Sequence, residues 1–192
     1  MTALALVCFL AIADPQDTPI RMVTVKAEVL EFKDVRMPEK LDEETLRKFV
    51  ASSKPESSKV FELSTLNQRQ ARVSVGAEVA VVTGFVTTGK GRSQPTYQRT
   101  DVGSTLAVTP VVEKGHIKLD TYIEVSRIVD PPEPKKETTG SRFVPSQKSL
   151  MTLESTLVLE PGKPLLQHVR DQNPKTKRHY VIVITVKSKT FK

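Results

Sequence analysis

The stretch ARVSVGAEVAVVTGFVTTGKG, residues Ala71 to Gly91, decides the fold of this chain. Its first part, as far as Gly84, is rich in valine, which is typical of a β-strand. Its last eight residues, GFVTTGKG, carry the Gly-x-x-x-x-Gly-Lys spacing of a phosphate-binding P-loop. The stretch therefore predicts either a nucleotide site or the turn of a β-hairpin.

The residues after the Gly-Lys pair decide between these interpretations. A P-loop needs Ser or Thr after its lysine, because that hydroxyl binds Mg²⁺, and this chain has Gly91 there. It also needs a helix whose first amides face the phosphates. The following RSQPTYQRTDVG contains Pro95 and has no helical periodicity. We therefore predict no nucleotide site and a long hairpin, Val81–Thr109, with a mobile tip near Thr88–Gln94.

Strand patterns flank the hairpin on both sides. Upstream, Ile20–Phe32 alternates apolar and polar residues with a period of two, and Ile117–Val125 downstream does the same. MTLESTLVLE and YVIVITVK predict two closing strands. The fold class expected is mainly β, with an antiparallel core, a long hairpin and a minor helical part.

One helix is predicted, at about residues 41–51. Leu41, Thr45, Leu46, Phe49 and Val50 recur at helical spacing, with acids in the first turn and bases in the last. Residues 130–149 are rich in Pro, Lys, Ser and Thr, which predicts a mobile loop or a segment ordered only on assembly.

Charge and composition exclude some functions. The 192 residues carry a net charge of +7, but 29 basic residues are interleaved with 22 acidic ones. The chain has neither the strand signature of an RNA-binding sheet nor zinc-finger spacing. A mildly basic surface explains the charge, and no nucleic-acid partner is expected.

The N-terminal run ALALVCFLAIA, residues 3–13, is too short for a membrane-spanning helix. Its length and its Ala-Ile-Ala end favour a signal peptide, residues 1–13. A buried strand or a misplaced start codon are the alternatives. Because the single cysteine, Cys8, lies in this run, a cleaved chain would hold no thiol.

The sequence shows no catalytic constellation. His116, His168 and His179 are isolated and lack metal-ligand spacing. We therefore expect no enzyme activity, no metal site and no cofactor.

Two segments carry a family resemblance. STLNQRQARVSVGAEVAVVTG, Ser64–Gly84, and TDVGSTLAVTPVV, Thr100–Val112, resemble the core of the bacterial secretins, the ring-forming channel proteins of type II and type III secretion and of type IV pilus systems. The similarity covers nearly everything from residue 20 to 188, which predicts a secretin-like β domain over residues 20–190. The matching core positions are Asn67, Gln68, Ala71, Gly76, Thr109 and Pro110.

The resemblance implies a fold and a function. The segment between the two motifs would be a gate hairpin of a β-barrel, with glycines giving backbone freedom at its bends and tip. A homo-oligomeric ring in the bacterial cell envelope is implied, at the outer membrane or in the periplasm, with secretion-machinery proteins as partners. The gate positions would be Val81, Val82, Thr83, Gly84, Gly89, Gly91, Asp101, Val102 and Gly103.

The chain also departs from the family pattern. Ala80 replaces a proline, and Leu165–Pro174 lacks the apolar lip loop that the family places before its last strand. The polar segment 129–149 is a poor membrane lip, and only residues 14–19 separate the predicted signal from the first strand. Two functions stay open: a compact subunit of a secretion channel, and a non-pore-forming envelope protein that uses the fold to oligomerise or bind.

Overall fold

The computed structural model of the chain describes residues 20–87, 89, 93–129, 146–171 and 178–191. These residues form strands in antiparallel pairs and one helix. The predicted mainly β, antiparallel fold class is confirmed. The elements are β1 (Ile20–Lys33), α1 (Glu43–Ser52), β2 (Ser57–Leu66), β3 (Ala71–Thr87), β4 (Ser93–Val112), β5 (Ile117–Val129), β6 (Gln147–Leu159), β7 (Leu165–Arg170) and β8 (Arg178–Phe191).

The strands form two four-stranded sheets that share a core. Sheet A has the order β2-β1-β8-β7, and sheet B has the order β3-β4-β5-β6. The alternation in β1 explains the packing, because every second residue points to the same face. The largest fully buried side chains come from both sheets: Val23, Val25, Phe32, Leu106, Val108, Ile117, Leu119, Ile123, Val181, Ile182, Ile184 and Val186.

Helix α1 covers the other face of sheet A. Leu46 is buried there, and the rings of Phe49 and Phe32 lie 4.9 Å apart. The helix begins where Asp42 Oδ1 accepts the Thr45 N–H, a side-chain cap at 2.9 Å. The helix is thus confirmed, with its acidic first turn.

The expected basic last turn is wrong. Arg47 and Lys48 lie in the middle of α1, where each pairs with the acid four residues before it. Leu41 lies before the helix and is exposed. Among the described residues, α1 is the one helix, and its 10 residues are too few to cross a membrane.

Several boundaries differ from the expectations. Ser93 and Gln94 belong to β4 rather than to the hairpin tip, and residues 147–149 begin β6 rather than ending a loop. β7 was not predicted, because its sequence LLQHVR does not alternate. The predicted signal peptide, Gly91 and residues 130–145 lie outside the described residues.

Candidate functional site: a projecting hairpin and its base

The β3–β4 hairpin extends beyond the sandwich as a two-stranded arm. The two strands pair from Ala71↔Val108 to Thr87↔Ser93, whereas β5 covers β4 only from Gly103 onward. Residues Ala77–Thr87 and their partners on β4 therefore have no third strand beside them. At a rise of about 3.3 Å per residue, the arm is about 35 Å long. We call residues 77–102 the arm.

The arm is mostly exposed and carries apolar side chains. Phe85, Val86 and Tyr97 are each more than half exposed, while Val81 is buried. Among the described residues of the arm, one ion pair joins its strands, Arg99 with Glu78 at 3.1 Å. An isolated two-stranded ribbon is only marginally stable in water, so the arm depends on its base and on any surface that it meets.

The bend glycines behave differently from the sequence expectation. Thr83 is the extra residue of a bulge between Val82 and Gly84. Among the described residues, the glycines with positive φ are Gly115 and Gly162, in turns outside the arm. Gly84 and Gly89 thus have backbone angles that other residues also adopt. P-loop geometry is ruled out, since the chain runs as a strand from Ser93.

The arm leaves the sandwich at a crossing of two glycines. Gly76 lies directly opposite Gly103 in the ladder. A Cβ on Gly103 would lie 2.4 Å from the Val75 carbonyl oxygen, and one on Gly76 would lie 2.6 Å from the Val102 carbonyl oxygen. The strands approach too closely here for any side chain. The two sequence motifs meet at this point, and the close approach of their strands explains why each motif has a glycine there.

We expect Gly103→Ala to destabilise the fold by about 1–3 kcal/mol, because the methyl group would push two backbones apart. The measurement is urea unfolding followed by circular dichroism. Gly89→Ala is the matched control, since no atom lies within 4 Å of its Cβ position and its φ is not positive. Equal midpoints for the two variants would contradict the steric role of the crossing.

The same two motifs meet a second time, at the opposite end of the sandwich. Gln68, with φ 61°, donates its N–H to the Pro110 carbonyl at 2.7 Å. Asn67 Oδ1 accepts the Val112 N–H at 2.8 Å. The turn between β2 and β3 is thereby tied to β4, which joins sheet A to sheet B. Ala71 pairs with Val108 in the adjoining ladder, and Thr109 with Asp120.

A buried ionic layer closes the core on the side of the arm. The Glu31 carboxylate, 6% exposed, is contacted by the guanidinium groups of Arg127 and Arg178. Ser57 Oγ donates to it at 3.0 Å, and Arg178 also donates to Glu56 at 2.6 Å. Burial raises the pKa of Glu31, but these hydrogen bonds and positive charges outweigh burial and lower it overall.

The ionic layer reaches the base of the arm. Lys59 Nζ donates to Ser104 Oγ at 2.7 Å, one residue after the crossing glycine. Ser126 Oγ accepts the Gly103 N–H at 3.0 Å. Burial lowers the pKa of Lys59, an effect that the Glu31 carboxylate opposes. Sheet A thus holds the root of the arm through polar contacts as well as through packing.

Sequence reasoning missed this layer, although a signal was present. Glu31 continues the inward positions of β1 after Val29, and Arg127 continues those of β5 after Val125. A carboxylate and a guanidinium at inward positions of two alternating strands predict a buried pair.

A second polar contact lies on sheet A between β7 and β8. His168 Nε2 and His179 Nδ1 are 3.1 Å apart, and their rings stack at 5.3 Å. Burial lowers the pKa of both imidazoles, and the Arg170 charge lowers them further; for His168 the His179 ring also contributes. The expectation from the sequence that the histidines are isolated is wrong for His168 and His179.

We expect β7 to loosen as the pH falls below about 6.5, the ordinary pKa of histidine. Since both pKa values are lowered by folding, the unfolded chain binds more protons, and this contribution to stability is complete above pH 6.5 and is lost below it. Amide hydrogen exchange of residues 165–170 between pH 5 and 8 measures the effect. His168→Gln should flatten the profile; an unchanged profile would rule the pair out as its source.

Within the described part of the chain, no three His, Cys, Asp or Glu residues come together as a metal site. His116 instead lies 2.7 Å from Glu113 in the β4–β5 turn. The gate positions Val81, Val82, Thr83 and Gly84 lie in one strand of the arm. Asp101 and Val102 lie in the other strand near the base of the arm, opposite Glu78 and Ala77, and Gly89 lies at the tip.

Comparison with known proteins identifies one family. The model of the family Secretin, described as "Bacterial type II and III secretion system protein", matches residues 55–165. No curated protein matches the chain.

Solved structures show similarity at low identity. The type II secretin GspD of enteropathogenic Escherichia coli is 13% identical, with 88% of this chain and 69% of that one covered and a TM-score of 0.43. The InvG secretin-domain β-barrel of the Salmonella SPI-1 injectisome is 10% identical, with coverage of 91% and 62% and a TM-score of 0.43. The secretin of the ETEC AspS–GspD complex is 14% identical, with coverage of 88% and 48% and a TM-score of 0.40. The chain spans about half of that last protein's length.

Proposed function

The chain belongs to the secretin family of bacterial type II and III secretion system proteins, and on that premise we propose that it is a subunit of an outer-membrane secretion channel. In this proposal, copies of the chain close into a homo-oligomeric ring in the cell envelope. The arm of each subunit, residues 77–102, points toward the axis and acts as part of a gate. Other secretion-machinery proteins dock onto the ring, and residues 1–13 direct export.

The observation that carries the proposal is the arm itself. It projects about 35 Å without a third strand and exposes Phe85, Val86 and Tyr97. Such a ribbon gains stability when its apolar side chains meet another surface. In a ring, the surface nearest to each arm is the arm of the next subunit, and contact between arms would close the lumen.

The sheet edges also support assembly. The edge strands of sheet A are β2 and β7, and those of sheet B are β3 and β6. Strand β6, with 13 residues, is a long edge. An edge strand presents unpaired N–H and C=O groups that can pair with a strand of another chain. Repeating one such contact by rotation closes a ring.

The rigid base fits a gating role. The glycine crossing and the contacts of Lys59 and Ser126 fix the root of the arm to both sheets. Displacement of an arm would therefore occur along its exposed length, with the sandwich unchanged. A gate requires such a division between a sandwich that stays fixed and an arm that is displaced.

One observation favours the second candidate, a non-pore-forming envelope protein. Residues 165–170 form β7 within sheet A, where the family pattern has an apolar lip loop. A chain without that loop has fewer apolar residues to place in a bilayer. It could still oligomerise through the same edges.

Cell fractionation followed by gel electrophoresis without heating distinguishes the two functions. The channel proposal predicts SDS-resistant multimers in the outer-membrane fraction. A soluble periplasmic monomer or dimer would overturn it and favour the binding function. A heated sample of the same fraction, which should run as a single band at the mass of one subunit, is the control.

A further inference from the structure

The strand topology gathers several chain segments at the end of the sandwich farthest from the arm. β1 begins there, β8 ends there, and the loops after β2, β4 and β6 connect strands there. Asn67 N–H donates to the Arg21 carbonyl, and Gly162 N–H donates to the Val186 carbonyl. We call this end the distal pole, defined by residues 20–22, 67–70, 113–116, 160–164 and 187–191.

The distal pole is basic. It holds six exposed basic side chains against two acids, Glu113 and Glu160. Both acids are already engaged, Glu113 with His116 at 2.7 Å and Glu160 with Lys163 at 2.5 Å. Within the described ranges, the other five basic residues form no ion pair. The six are Arg21, Arg69, Lys114, Lys163, Lys187 and Lys189.

Among the described residues, the excess of positive charge is local. Toward the arm, several of the described basic side chains pair with acidic ones. Examples are Arg36 with Glu39, Lys40 with Asp42, and Arg99 with Glu78. Among the described residues, the positive charge is therefore concentrated at the distal pole.

Exposed apolar side chains lie beside these cations. Ile20 is 59% exposed, Leu66 48% and Phe191 39%. The ladder places Ile20 opposite Phe191, and Met22 between Leu66 and Lys189. These residues share the outer face of sheet A, where the Lys189 ammonium lies 5.2 Å from the centre of the Phe191 ring.

We infer that the distal pole docks onto the surface of an anionic lipid bilayer. Interfacial binding combines apolar side chains that enter the headgroup region with lysines and arginines that meet acidic lipids. A nucleic acid would engage the cations but would leave exposed aliphatic residues such as Ile20 and Leu66 in water. The inference holds for a ring and for a monomer.

Vesicle co-sedimentation of the full chain tests the inference. Vesicles of phosphatidylcholine alone are compared with vesicles that also contain phosphatidylglycerol. Binding through residues 3–13 alone would be the same for both kinds of vesicle. The difference in the bound fraction between the two kinds therefore measures the contribution of the distal pole. We expect Lys187→Glu/Lys189→Glu to weaken the binding to anionic vesicles by about tenfold or more, since each basic residue contributes separately near the surface.

A matched control carries the same charge change at the other end. Lys54 and Lys148 are exposed and lie on the side of the arm, so Lys54→Glu/Lys148→Glu should bind almost as wild type does. Equal loss in both pairs, or equal binding of wild type to both vesicle types, would overturn the inference. So would retention of duplex DNA with no preference for anionic vesicles. Ile20→Ser/Phe191→Ser should reduce binding without changing the net charge, and normal binding by that variant would contradict the apolar contribution.

Discussion

Glu31→Gln should destabilise the protein by about 3–5 kcal/mol, the cost of removing one partner from a buried ionic group. The Glu31 carboxylate is 6% exposed and faces two guanidinium groups. Arg127 depends on it most, because its Nη1 contacts Glu31 while its buried Nε and Nη2 have no hydrogen-bond partner among the described residues. For a chain of this size the melting temperature should fall by about 10 °C.

The exposed pair on α1 supplies the control. Glu43→Gln removes a carboxylate that Arg47 contacts at 2.6 Å, but both side chains are about half exposed. Such surface pairs contribute about 1 kcal/mol or less. If the two glutamate variants melted at the same temperature, the ionic layer would not be a stabilising element.

The same variant has a pH signature. Because folding lowers the pKa of Glu31, its contribution is fully present above the unfolded value of about 4.3 and is lost as the pH falls through the lower folded value. Wild type should therefore lose stability in this acid range more steeply than Glu31→Gln. Parallel curves for the two proteins would contradict the assignment.

Removing the arm should leave assembly intact and open the channel. Glu78 and Asp101 lie directly opposite each other, so deleting Val79–Thr100 and joining them through Asn-Gly makes a two-residue hairpin turn. Most side chains removed are exposed, hence the sandwich should melt near the wild-type temperature. In planar bilayers, the wild-type ring should be mostly closed and the deletion ring persistently conducting.

Both outcomes of the deletion are informative. Equal conductance of intact wild-type and deletion rings would mean that the arm is not a gate. Loss of the multimer on deletion would mean that the arm contributes to assembly instead. Val86→Ser/Tyr97→Ser, which keeps the arm but removes exposed apolar groups, should give an intermediate conductance.

The sequence predicted the elements that depend on local pattern. Alternation in β1 and β5 marked their buried faces, and the glycine-rich segment after Val82 marked the hairpin. The motif glycines Gly76 and Gly103 were recognised by resemblance only. Their physical role depends on the antiparallel register that places them opposite each other. That register cannot be read from the sequence alone, because the two glycines are 27 positions apart.

The parts that were missed depend on contacts between distant segments. β7 does not alternate, and it becomes a strand because β8 offers it an open edge. His168 and His179 meet only through that pairing. Glu31 and Arg127 come from different sheets, so each is an ordinary charged residue until the sandwich forms.

The molar mass of the folded protein tests the central claim of ring assembly most directly. Light scattering on the purified chain, at micromolar concentration in mild detergent, should give one species whose mass is a large multiple of the 21.3 kDa subunit. A mass of 21.3 kDa under the same conditions would contradict the ring.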